Sequence, residues 1–184
     1  RAGRRPGGAP RRQSPRPPRP PPARRETASL PAPSPRPAAG RQIEVAVPEL
    51  TEVEIESWAG EIIVSDLAGA VTVRSTTGNI TANNLSGVVW LTAPRGDVSV
   101  YDSSGEIHLL GEHGVLAFEN SSGELAATTI MGTLEYAGLL SGNDVVRLES
   151  DHGPVHIALA DESSANITLA TNTAHITCTV PGLS

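Results

Sequence analysis

Through the middle of the chain, apolar residues come in pairs with one residue between them, and the pairs return every nine positions. The first members are Ile62, Val71, Ile80, Val89, Val98, Ile107, Leu116, Leu125 and Leu134. The second members are Val64, Val73, Ala82, Leu91, Val100, Leu109, Phe118, Ala127 and Tyr136. The residue between is mixed and often polar, as at Thr72, Thr81, Ser99, His108 and Glu135. Period-two alternation over so short a run predicts a strand with one buried face. Two residues before each pair stands a glycine, from Gly60, Gly69 and Gly78 to Gly132, where a tight corner calls for positive φ and no Cβ. Turn formers such as Ser103-Ser104, Ser121-Ser122 and Asn83-Asn84 precede these glycines. Each unit is a short strand and a turn, and nothing in the repeat signals a helix.

The phase continues past Gly132 if two three-residue insertions are allowed. The inward pairs are then Val146 and Leu148, Val155 and Ile157, Ile167 and Leu169, Ile176 and Cys178. Nine residues cannot close a coil around a core, whereas eighteen supply two strands and two turns whose inward side chains meet. The turns support this doubling, because Leu67 and Leu85 precede alternate glycines while the turns between read Thr76-Thr77-Gly78 and Pro94-Arg95-Gly96. The predicted fold is all-β, a single-domain flattened β-solenoid (β-helix-like) of about eighteen residues per coil over residues 41–184. A closed meander barrel would need thirteen or so strands around a lumen these small residues could not fill.

Residues 1–40 are a different polymer. They hold ten arginines, one acid and twelve of the sixteen prolines, for a charge near +9, against −15 for residues 41–184. Such a segment cannot bury a core, and it reads as a disordered Pro/Arg-rich tail or linker. It is a candidate contact for an anionic polymer or membrane surface, and Ser14 to Pro20 carries polyproline-reader spacing. Ile43, Val45, Val47, Val53 and Ile55 read as lead-in strands, and at the other end either Pro181 stops pairing or further sequence follows. No run of eighteen apolar residues is present. Opening at Arg1 rather than methionine, the chain reads as a fragment or a processed product, and upstream sequence is where an anchor or signal peptide would sit. Cys178, in an inward slot, reads as a small buried hydrophobe.

Chemistry is sparse in the pattern. A calcium roll needs a repeating carboxylate, and Asp66, Asp97, Asp102, Asp144 and Asp151 read as sharing no position. His113 and His152 fall on one edge two coils apart, about 10 Å by strand spacing, too far for one ion. A polysaccharide-active β-helix enzyme needs paired carboxylates at a fixed separation, and the outward acids read as scattered. A flat ice-binding array fails on the irregular outward series Ile63, Thr81, Ser99, Ala117, Glu135. No catalytic, metal or cofactor-binding residues are assigned. Two features remain as interaction candidates. The insertions Ala137–Asn143 and Ala160–Ser164 should bulge from one edge in successive coils. There Leu139, Leu140, Asn143, Asp144, Asp161 and Glu162 would form an acidic double loop. Trp90, in an outward slot over Thr72 and beside His108, could stack on a sugar or anchor a partner.

Ser75-Thr76-Thr77-Gly78-Asn79-Ile80, Gly87-Val88-Val89-Trp90-Leu91, Arg95-Gly96-Asp97-Val98-Ser99-Val100 and Ser103-Ser104-Gly105-Glu106-Ile107 recur as Ser/Thr-Gly turns with apolar alternation. This run resembles the bacterial adhesin-like β-repeat family, a domain of unknown function, over roughly residues 43–180. The resemblance implies a β-solenoid at the cell envelope or surface that acts as a non-enzymatic binding or structural module. Its partner would be a protein or a cell-wall glycan, not a specific nucleic acid sequence. The alternative is a regulatory, envelope-stress-sensing domain acting through protein partners; a cytoplasmic setting stays open.

Overall fold

Each apolar pair can be buried only if its strand packs against another, and parallel stacking achieves this for every pair at once. In the computed structural model, which describes residues 52–180, the chain winds as a two-sheet β-solenoid of about seven coils. The odd-numbered strands form one seven-stranded sheet: β1 (Val53–Ala59), β3 (Ala68–Thr77), β5 (Ser86–Arg95), β7 (Ser104–His113), β9 (Ser122–Thr129), β11 (Asp144–Ser150) and β13 (Ala165–Thr171). The even-numbered strands form the other: β2 (Ile62–Ser65), β4 (Ile80–Asn83), β6 (Val98–Tyr101), β8 (Val115–Glu119), β10 (Thr133–Gly138), β12 (Val155–Leu159) and β14 (Ile176–Thr179). All pairings are parallel. Val71 aligns with Val89 and Ile107 with Leu125, eighteen residues apart, while Leu125 aligns with Val146 and Leu134 with Val155, twenty-one apart. Six steps of about 4.8 Å make a rod about 29 Å long.

The inward pairs of both sheets fill one continuous core. Val73, Val89, Val98, Ile107, Leu125, Leu134, Val146 and Val155 are wholly shielded from solvent. Ile55, Ile167 and Leu169 pack against this core from the first and last coils and are half-buried. The burial pattern alternates strand by strand, so the outward slots between the pairs form columns that run the length of each sheet.

The corners correct the sequence reading of the glycines. Positive φ occurs at Gly60, Gly69, Gly87, Gly105, Gly114 and Gly123, but not at Gly78, Gly96, Gly132 or Gly153. What Gly96 provides is space: a Cβ there would overlap the carbonyl oxygen of Gly78 in the coil before. Glycine is needed because stacked corners bring backbone against backbone, and only some corners also need a left-handed residue. A second column supplies that conformation with side chains. Asp66, Asn84, Asp102 and Asn120 have φ of 58, 52, 48 and 50°, the left-handed region that short polar side chains tolerate best after glycine. Asp66 and Asp102 therefore do share a position in the repeat, contrary to the reading of the acids as unrelated. Asn84 Nδ2 donates to Asp66 Oδ1 at 2.7 Å across the coils, which makes the column a corner ladder.

Two more expectations change at the ends. Val53 and Ile55 do cover the next coil, and they do so as a full member of the stack, with β1 in register with β3. Cys178 is exposed rather than buried, because no described strand lies beyond β14 to close its inward slot. The tail 1–40, the lead-in residues Ile43, Val45 and Val47, and Pro181 lie outside the described residues. No helix among the described residues is long and apolar enough to cross a membrane.

Candidate interaction surfaces

The two insertions emerge at one corner and stack on each other, as their shared half-coil predicts. Ala160 N donates to Gly138 O at 2.8 Å and Ser164 N to Leu140 O at 2.9 Å, continuing the coil-to-coil ladder into the loops. Their composition as a surface differs from the expectation. Leu139, Asn143, Asp161 and Glu162 are exposed, whereas Leu140 and Asp144 are buried. Leu140 turns into the interior and joins the core, since twenty-one residues between stacked corners leave room for an additional side chain inside. Asp144 works inward too. Its Oδ1 accepts from Gly123 N of β9 at 2.8 Å and its Oδ2 from Ser141 N of the loop at 2.6 Å, tying the loop to the preceding coil. Tyr136 OH donates to Ser121 O at 3.0 Å beneath the same corner, and burial, helped by the Asp144 charge, pushes its phenol up to about 12. The double loop is a fastened corner with an acidic rim of Asp161 and Glu162, and Leu140 and Asp144 are withdrawn as contact residues.

Trp90 stands where the alternation predicts, on the outer face of β5, paired with Thr72 on one side and His108 on the other. Its ring is stacked on the His108 imidazole, with centroids 4.0 Å apart and planes 11° from parallel. The residue remains 48% exposed. His108 Nε2 lies 2.9 Å from Glu106 Oε1, which steadies the imidazole from its far edge. One face of the indole is thus covered by His108, and the other looks over Thr72, a short side chain. Exposed Val88 and Leu110 flank the ring on the same face. The result is an aromatic ledge on the outer face of the sheet.

The opposite sheet carries a feature the alternation concealed. Across β6 to β14 a shallow groove of about 330 Å³ opens outward, lined by Tyr101, Glu119, Glu135, His156, Thr177 and Thr179. It exists because the outward residues Ala117, Ala137 and Ala158 are small and form a low floor between taller neighbours. Register fixes the walls: Tyr101 lies beside Glu119, Glu119 beside Ala137, and Glu135 between Ala117 and His156. Glu119 and Glu135 sit diagonally on adjacent strands, their Cα atoms about 8 Å apart by strand spacing and rise. The outward acids are therefore not all scattered. Reading the outward slots of alternate units as two columns, one of them Ser65, Asn83, Tyr101, Glu119, Ala137, Ala158 and Thr179, would have exposed the groove.

The arginines among the described residues are confined to one sheet, which also carries Glu54, Glu56, Glu106, Glu112, Glu124 and Glu149. The three arginines of residues 52–180 all stand on odd-numbered strands, Arg74 on β3, Arg95 on β5 and Arg147 on β11. Arg147 is tied to Glu149 Oε1 by its Nε at 2.8 Å and its Nη2 at 2.6 Å. The outer face of the even-numbered sheet has Glu119 and Glu135 and, among its described residues, no arginine. No group of three His, Cys, Asp or Glu residues among the described residues could hold a metal ion. No family model, no curated protein and no solved structure matches this chain.

Proposed function

We propose that the solenoid is a non-enzymatic, adhesin-like binding module of the bacterial cell envelope, and that it takes a glycan on the ledge formed by Trp90. The observation that carries this reading is the half-exposed indole on the flat outer face of the sheet, stacked on His108, whose imidazole is held by Glu106. A sugar ring has an apolar face of C–H bonds and an equator of hydroxyls. The uncovered indole face suits the first, and Thr72 and Arg74 beside it offer hydrogen bonds to the second. Because the ring is already fixed by its neighbour, little side-chain entropy is lost on binding. The resemblance of the Gly69–Gly123 run to adhesin-like repeats supports the envelope setting.

The test is a glycan and cell-wall binding array probed with the whole chain and with Trp90→Ala. The variant should keep the strand signature in far-ultraviolet circular dichroism and bind roughly tenfold more weakly or worse. Equal binding by both proteins would remove the ledge from the reading.

A further inference from the structure

The groove on the even-numbered sheet has the features that recognise an arginine flanked by prolines. Tyr101 offers a ring face on which a guanidinium or a pyrrolidine can lie. Glu119, its neighbour in register, offers a carboxylate that a guanidinium engages through two hydrogen bonds. Glu135 repeats the carboxylate one strand further on. The alanine floor leaves an apolar trough between them, and no arginine among the described residues of this face competes for the acids.

A ligand with that chemistry is present in the chain itself. Residues 15–20 read Pro-Arg-Pro-Pro-Arg-Pro. In the polyproline II form, three residues per turn at about 3.1 Å each put Arg16 and Arg19 on one ridge about 9 Å apart. The carboxylate-bearing positions of the groove are about 8 Å apart, a match that side-chain length absorbs. Pro17 and Pro20 form the adjacent ridge, which would lie on Tyr101 and the alanine floor. Reach is ample: thirty-five residues lie between Arg16 and Glu52, up to about 110 Å of extended chain, against a rod about 29 Å long. Charge agrees, with about +9 in residues 1–40 and −15 in the rest.

We propose that the Arg/Pro segment Pro15–Pro20 docks intramolecularly in the groove between Tyr101, Glu119 and Glu135. Arg16 and Arg19 meet the two carboxylates, and the prolines cover the trough. The groove is then a polyproline-reading site occupied by the protein's own arm, independent of the ledge on the other sheet.

The sequence contains no lysine, which makes a clean experiment available. In full-length Arg16→Lys protein the new amine is the only one on any side chain. A zero-length carbodiimide crosslink followed by peptide mass spectrometry then maps where it rests. The expected product is a monomer in which position 16 is joined to Glu119 or Glu135. Crosslinks confined to Glu26, Glu44, Glu49, Glu52, Glu54 and Glu56, the acids nearest in sequence, would overturn the proposal. So would crosslinks found only between chains, or none at all. A second measurement avoids dependence on lysine as a stand-in. A synthetic peptide of residues 12–22 is titrated into full-length protein carrying Arg16→Gln and Arg19→Gln. Adding Glu119→Gln and Glu135→Gln should weaken its binding at least about tenfold. A peptide with its prolines replaced by alanine should also bind more weakly; equal binding would reduce the contact to bulk electrostatics and refute the docking.

Discussion

At the level of single residues, the repeat glycines separate two requirements that usually come together. Gly60 has φ of 111° but open space around its missing side chain, while Gly96 lacks positive φ yet has the Gly78 carbonyl where a Cβ would go. Gly60→Ala should therefore cost backbone strain alone, about 1 kcal/mol. Gly96→Ala must push two coils apart and should cost about 2–4 kcal/mol. Urea denaturation of the two variants checks this, and equal losses would show that corner stacking is softer than the close approach implies. The presence of glycine at the corners from Gly60 to Gly132 was legible in the sequence, but its reason was not. Nine-residue phase records where a small residue is needed; it does not tell conformation from contact, because both demands select the same residue type. The left-handed column of Asp66, Asn84, Asp102 and Asn120 was hidden for a related reason. It repeats every eighteen residues and alternates between acid and amide, so neither composition nor nine-residue phase isolates it.

At the level of elements, the insertions show how a strand–turn unit absorbs three extra residues without losing register. The ladder is carried through the loops by Ala160 and Ser164, the core gains Leu140, and Asp144 ties the Ser141 amide of the longer turn to the Gly123 amide of the coil before. Their position was readable from the break in phase. The inward turn of Leu140 and Asp144 was not, since a loop's apolar or acidic residue can face either way until its backbone donors are counted. Tyr136, held beneath this corner, gives the element a pH signature. Its phenol ionises near 10 when unfolded and at about 12 in the folded chain. The contribution is full below pH 10 and is lost as pH rises from 10 through 12. Thermal melts between about pH 8 and 12 should show the wild type losing stability across that window more steeply than Tyr136→Phe. At neutral pH the variant should be weaker by about 1 kcal/mol through loss of the bond to Ser121. Parallel curves at high pH would place the phenol's titration outside the corner.

At the level of the whole molecule, each coil touches only its two neighbours, so stability should be graded along the rod. Inward residues of β5 to β11 are almost fully shielded, those of β1 and β13 only partly, and β14 is exposed throughout. Native-state hydrogen exchange should find the slowest amides in β5, β7 and β9 and the fastest in β1 and β14. Uniform protection from end to end would mean that the solenoid opens as one unit. The overall architecture was legible because the same pair of apolar slots recurs in every coil, and repetition turns a weak local signal into a strong global one. The two outer faces were less so. Trp90 declares itself by type, whereas the groove is made by three alanines and by which strands lie side by side, a property of stacking that no single unit contains. The strict register between neighbouring coils has one more consequence. Ledge and groove lie on opposite walls of a body that lengthens only in whole coils, so eighteen added residues would shift one relative to the other by a single step of about 4.8 Å. The offset between the two outer surfaces is thus counted in turns rather than set by a hinge.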